Sequence, residues 1–182
     1  MSDLCNSDEL LIFWFEEAGQ NRWFKRDKNF DELCRKRFLT SLEAASRGEC
    51  WRWRVTPAGR CAEIILLDQF SRNLYRNTAA SFANDGVALT LAQEVVAGGH
   101  DHELSADERY FSYMPYMHSE SLSIQQESLR LFEKLGQPEA LRYAHAHFRL
   151  IERFGRYPHR NSVLGRTSTE AEQDYLKDHK GF

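Results

Sequence analysis

The sequence predicts an all-α protein. Three observations carry that reading: helix start and stop signals recur from end to end, apolar residues between them repeat at helical spacing, and no stretch alternates polar and apolar between hairpin turns such as Asn-Gly.

The first helix is expected over about Asp8 to Ala18, with Ser7 as its cap and Gly19 as its stop. A second, about Phe30 to Arg47, sets Phe30, Leu33, Cys34, Phe38, Leu42 and Ala45 on one stripe and ends at Gly48. Thr56 and Pro57 form a cap and first-turn pair for a third. Its Cys61-Ala62 and Ile64-Ile65-Leu66-Leu67 are apolar nearly all round, which marks it as the central, most buried helix. A fourth runs from about Phe82 to Ala97 and stops at Gly98-Gly99.

Ser105 and Glu108 make a capping box for a fifth helix, which Pro115 should end or kink because proline cannot donate the next backbone hydrogen bond. Ser123 and Gln126 repeat the device for a sixth, stopping at Gly136. Pro138 opens a seventh that ends near Phe154-Gly155, and Thr169 with Glu172 caps a short eighth. About eight helices on short connections suit antiparallel helical hairpins, packed as a bundle or as a right-handed stack like tetratricopeptide repeats. A repeat of about 34 residues is not visible in the chain. One domain over residues 1–182 is expected, since no low-complexity linker divides it.

Charge narrows the function classes. The 24 Lys and Arg against 27 Asp and Glu leave a formal charge of -3, so no global field favours nucleic acid or an anionic membrane. The apolar run Leu10 to Phe15 has acids on both sides and no basic lead, unlike a signal peptide or a membrane span. Cys5, Cys34, Cys50 and Cys61 lack Cys-x-x-Cys spacing and read as small, reduced core residues, consistent with a cytoplasmic location. Phosphate-loop, dinucleotide and nucleophile-elbow patterns are absent, and no cofactor is called for.

Three polar clusters could carry chemistry. On the seventh helix, at about 100° per residue, Ala140, Tyr143, Ala144, His147, Leu150, Ile151 and Phe154 share one face, which aims His147 inward while His145 falls outside with Arg149 and Glu152. Beyond it, Arg142 to Arg166 holds six arginines and one acid, Glu152, within a net acidic chain. Arg153, Arg156, Arg160, Asn161 and Arg166, next to the start of the last helix, would form a cradle for a phosphate or carboxylate. The same arginines could instead pair with acids such as Asp68 or Glu120 and tie the C-terminal helices down.

Asp68-Gln69-Phe70-Ser71-Arg72-Asn73 sets an acid and an arginine four apart at the end of the most apolar helix, so Asp68 should be partly buried with a basic partner. It reads as a buried ion pair or, functionally, as a general base or metal ligand. Met114-Pro115-Tyr116-Met117-His118-Ser119-Glu120 places a histidine and a carboxylate two apart before a helix. With His147 or His159 these are metal-ligand types, but no fixed spacing supports a metal, and none is assigned. The plainer reading is helix capping by Ser119, Glu120 and Ser121. Trp51-Arg52-Trp53-Arg54 reads as loop-packing tryptophans beside solvated arginines rather than a single-strand binder.

At these clusters the chain resembles a mainly bacterial family, the domain of unknown function 924. The strings that carry the likeness are Phe13-Trp14-Phe15, Trp23-Phe24 with Phe30-Asp31, Leu67 to Asn73 with Tyr75-Arg76, Tyr113-Met114-Pro115, Met117-His118-Ser119-Glu120, and Arg153 to Asn161 with Leu164-Gly165-Arg166. Ser71, Asn77 and Tyr157 stand where relatives often have proline, glycine and phenylalanine. The resemblance implies a tetratricopeptide-like helical fold and no established reaction. The expectation is that Asp68, Arg72, Asn73, His118, Glu120, His147, Arg153, Arg156, His159, Arg160, Asn161 and Arg166 converge on one pocket for a small anionic ligand. If chemistry occurs there, Asp68 or Glu120 would act with His147 or His159 as acid and base. A helical interaction module is the alternative, with a protein partner in an aromatic groove drawing on Trp51, Trp53, Tyr116 or Tyr157 and the polar clusters purely structural.

Overall fold

Thr56 accepts the Gly59 backbone N–H and Pro57 occupies the first turn, so the helix expected to be most buried begins as read. In the computed structural model, which describes residues 4–179, it spans Pro57–Ile65 (α4), and Cys61, Ala62, Ile64, Ile65, Leu66 and Leu67 are all 0% exposed. It passes directly into a π-helical turn, Leu66–Phe70, and then α5, Ser71–Leu74.

Before it come α1 (Ser7–Leu11), continued as a π-helical segment Ile12–Ala18, the short α2 (Gln20–Trp23) and α3 (Lys28–Ser46). After it follow α6 (Asp85–Ala97), α7 (Ala106–His118), α8 (Leu122–Leu135), α9 (Pro138–Phe154) and α10 (Glu170–Asp178). The described residues contain helices, turns and loops and no strand, so the chain is all-α.

The chain falls into two compact units: the described residues up to Arg76 with Ala80–Pro115, and Asn77–Ala79 with the residues from Tyr116 onward. The first unit has an aromatic core. Trp14 meets Phe70 at 5.2 Å and Phe111 at 5.4 Å between ring centroids, and Phe38 meets Phe70 at 5.0 Å. The wider π-turn leaves the Trp14 carbonyl to accept both the Gly19 N–H at 3.2 Å and the Trp23 indole N–H at 2.8 Å. Phe13, Trp14 and Trp23 of the strings Phe13-Trp14-Phe15 and Trp23-Phe24 are therefore packing residues, whereas Phe24 is 60% exposed.

The second unit holds Asn77–Ala79, the end of α7 from Tyr116, the α8–α9 hairpin, and the loop and helix that follow it. Gly136 adopts a left-handed φ of 73° to close α8, a conformation that a Cβ would strain. Leu150, Ile151 and Tyr157 form its buried core, flanked by Phe154 and Tyr175.

Several local expectations are corrected. Asn6, not Ser7, caps α1, in a capping box with Glu9. Pro115 lies inside α7, which runs on to His118. Ser121, not Ser123, stands at the start of α8, without a side-chain cap. Leu33 and Tyr143, placed on buried stripes, are 37% and 39% exposed. Trp51 is 57% exposed and does not pack down, while Arg54 is bonded to the buried Glu63 at 2.7 Å rather than solvated. The cysteines read as core are buried except Cys5, which is half-buried, and burial raises the Cys34 and Cys61 thiols to about 12.

Candidate functional site

The second unit gathers most of the polar residues singled out from sequence, and Tyr157 is the post they stand around. The left-handed Gly155 at the end of α9 turns the chain so that Tyr157, 0% exposed, enters the core. Its hydroxyl donates to the Met117 carbonyl at 2.6 Å and lies 2.8 Å from Gln125 Nε2. Its backbone N–H donates to Glu120 Oε1 at 2.8 Å. Its carbonyl accepts from Arg166 Nη2 at 3.2 Å.

Basic groups surround its ring. The Arg160 guanidinium lies 4.5 Å from the ring centroid, and the His147 and His159 rings each lie 5.6 Å away. His118 sits 6.2 Å from His147. His118, His147 and Arg160 are buried, whereas His159 is half-buried and forms the solvent-facing edge. Arg160 also donates to the His118 carbonyl at 3.1 Å, fixing the short 3₁₀ turn Pro158–Arg160 against the end of α7.

Crowding of like charge, together with burial, sets the protonation of these imidazoles. Burial first, then the neighbouring His118, Arg160 and His159, bring His147 down to about 3 despite the Tyr143 carbonyl that favours its charged form. Burial and Arg160 likewise bring His159 to about 4, with Glu120 opposing. Both are neutral near pH 7. His147 Nδ1 lies 2.9 Å from the Tyr143 carbonyl, which can only accept, so the proton is on Nδ1 and Nε2 keeps a lone pair.

The arginines divide into two sets. Arg166 grips Glu120 with both nitrogens at 2.6 and 3.0 Å and reaches Asn161 Oδ1 at 2.9 Å. Burial raises the Glu120 pKa, but the bonds from Arg166 and the Tyr157 N–H, with the charges of Arg166 and Arg160, bring it below the usual value. Arg156 grips Glu172 at 2.6 and 2.8 Å, and Asn161 Nδ2 adds a bond at 3.3 Å. The Arg156 bond is the main cause that takes Glu172 down to about 2. Arg156 and Arg166 are thus spent on internal carboxylates, and the pairing of an arginine with Glu120 weighed above is the one present. Glu120 serves this bridge rather than helix capping. Arg153 stays exposed, its guanidinium 4.6 Å from the Phe154 ring.

Asp68, Arg72 and Asn73 lie in the first unit with partners of their own. Asp68, 1% exposed, is 3.1 Å from Arg72 and accepts from Gln69 at 2.6 Å, while Arg72 also meets Asp85 at 3.0 Å. Asn73 and Arg76 both donate to Asp31 at 2.8 Å. The buried ion pair expected of Asp68 is present.

Two contributors were missed in the sequence. Gln125, 0% exposed, sends Nε2 to the carbonyls of Met117 and Ser119, each at 2.7 Å, and so caps the C-terminus of α7. The available signal was its place, with Ser128, on the apolar row that leads to Leu131 and Phe132. Tyr157 and Tyr116, expected to line a groove, are interior, at 0% and 3% exposed. Among the described residues no group of three or more His, Cys, Asp and Glu could hold a metal ion, and no helix is long and apolar enough to cross a membrane.

A family model described as a bacterial protein of unknown function, DUF924, matches residues 10–180. The chain is also similar to a solved structure of a protein of unknown function from Agrobacterium tumefaciens. That similarity is 38% in identity, covers 95% of this chain and 97% of that one, and has a TM-score of 0.91. No curated protein matches the chain.

Proposed function

Since the chain belongs to the bacterial DUF924 family, whose description assigns no reaction, we propose from the site's chemistry that it binds a small anion, phosphate or carboxylate, at the His118, His147, His159 and Arg160 cluster. One observation carries this reading: the Arg160 guanidinium and the His147 and His159 rings surround one buried tyrosine ring, with His118 beside His147, while the Glu120 carboxylate bonds Arg166. An anion set between the Arg160 guanidinium and these imidazoles would be held by charge-assisted hydrogen bonds. The anion enters past half-buried His159 and meets Arg160 and the imidazoles. Arg156 and Arg166 position the frame rather than the ligand.

An anion favours the charged imidazole, so binding takes up protons and tightens as pH falls from neutrality. Recognition suits these groups better than proton transfer, because neutral imidazoles of such low basicity and an ion-paired Glu120 are poor acids at neutral pH. Calorimetric titration with inorganic phosphate and with oxalate, at pH 7.5 and pH 6 and in two buffers of different ionisation heat, tests it. Saturable binding with proton uptake, lost in Arg160→Gln and weakened in His159→Gln, is expected. No heat from either anion up to about 10 mM, a Kd limit of roughly 3 kcal/mol of binding, would remove the reading.

A protein-interaction role is favoured by a separate observation, the commitment of Arg156 and Arg166 to Glu172 and Glu120, which leaves those clusters structural. It predicts that partners survive Arg160→Gln unchanged.

A further inference from the structure

The outer face of α9 is unlike its inner one. Leu141, His145 and Phe148 line a shallow open hollow of about 550 Å³ together with Pro138, Arg142 and Arg149, and no acid lines it. Glu139 and Glu152 stand one turn to either side on the same helix. Arg142 reaches Glu139 only at 3.5 Å between highly exposed side chains, and Arg149 bonds just its own helix carbonyl at His145. The hollow is a half-apolar groove with a positive rim.

The N-terminal helix presents the converse. Ile12 is 47% exposed, with exposed Asp8 and Glu16 four residues to either side along the row. Glu9 is used in the capping box and Glu17 pairs with Arg37, whereas Asp8 and Glu16 enter no ion pair among the described residues. Asp8 and Glu16 are separated by about 12 Å of helix, and Arg142 and Arg149 by about 10 Å, within the reach of the side chains.

We propose that this groove receives a second copy of the chain: the Asp8, Ile12 and Glu16 stripe of one molecule lies in the α9 groove of the next, Ile12 against Leu141 and Phe148, the acids against Arg142 and Arg149. Charge complementarity selects this occupant, since each surface has an apolar centre and the two rims are of opposite charge, Arg142 being held only by its long, exposed contact with Glu139. The contact is heterologous, so each molecule retains one unused face and association continues beyond a pair unless the rotation closes a ring. It goes beyond the anion reading and does not depend on it.

One pair of helix faces is smaller than a standard interface, so self-association is weak and salt-sensitive, with a Kd of about 10–100 μM at low ionic strength. Sedimentation velocity of the full chain over a concentration series reads it. The wild type should gain mass with concentration in about 20 mM salt and lose most of that gain in about 0.5 M salt. Arg142→Glu with Arg149→Glu, and separately Asp8→Lys with Glu16→Lys, should each weaken association at least about tenfold. Mixing the two variants, whose thermal melts check that both fold, should restore it. A wild type that stays monomeric to about 0.5 mM in low salt overturns the proposal. So does association indifferent to both charge reversals. A monomer that instead binds a synthetic Glu/Leu amphipathic peptide in this groove would assign the surface to a foreign acidic helix and equally overturn it.

Discussion

Glutamine at 172 leaves the Arg156 guanidinium facing a neutral partner, with one acceptor oxygen where Arg156, Asn161 and the Thr169 N–H now share two. The carboxylate is 2% exposed, so no water replaces what is lost. Glu172→Gln should cost about 2–4 kcal/mol of stability, measurable by thermal melting, with α10 becoming the first site of limited proteolysis. A variant as stable as wild type would show the pair to be neutral. Acid acts on the same unit through two kinds of group. His147 and His159 have folded values of about 3 and about 4 against an ordinary 6.5, so the unfolded chain takes up protons that the folded one refuses. Stability therefore falls as pH drops below about 6.5, by up to about 1.4 kcal/mol per pH unit for each histidine. Glu172, at about 2 against 4.5, adds its loss only below pH 4.5. Denaturant titrations at pH 7.5, 6.0 and 5.0 should show the first decline, and His147→Gln should remove part of its slope. A flat profile across that range contradicts the assignment of neutral buried imidazoles.

At the scale of elements, the C-terminus of α7 shows what a helix end needs. The carbonyls of Met117 and Ser119 are satisfied by one amide from α8, and the Tyr157 hydroxyl adds to Met117. Gln125→Leu keeps the volume and deletes the donors, so it should cost about 1–3 kcal/mol and loosen His118, seen as faster amide exchange at Met117 to Ser119. Unchanged exchange there would mean that water does the capping. This element was partly legible beforehand. The Ser105–Glu108 box at its start, with bonds of 2.8 and 3.3 Å, follows from a local sequence rule. Its end did not, because proline at 115 forfeits one donor but does not forbid a helix whose later carbonyls find partners from another element. Thr56-Pro57 and Thr169–Glu172 were readable for the same reason as Ser105: cap and partner lie within four residues. The partners of Glu120, 37 and 46 residues away, were not selected by any local rule.

At the scale of the molecule, burial is unevenly spent, and local stability should follow it. Eight residues of α4 and the π-turn after it, Cys61 to Leu67 and Phe70, are 0% exposed, and burying each large apolar one is worth about 1.5–3 kcal/mol. Helix α10 buries only Glu172 and is held by its capping box, the Arg156 pair and half-buried Tyr175. Opening α10 therefore exposes little apolar surface, whereas opening α4 exposes the centre of the first unit's core. Native-state hydrogen exchange should find the slowest amides between Ile64 and Phe70 and exchange in α10 faster by several powers of ten. The anion reading adds a condition. Phosphate should slow exchange in the segment from Tyr157 to Asn161 and around His147, where the basic cluster sits, without changing that of α4. Protection that rises uniformly, α4 included, would mean that phosphate acts as a stabilising salt on the whole chain and not at the cluster around Tyr157.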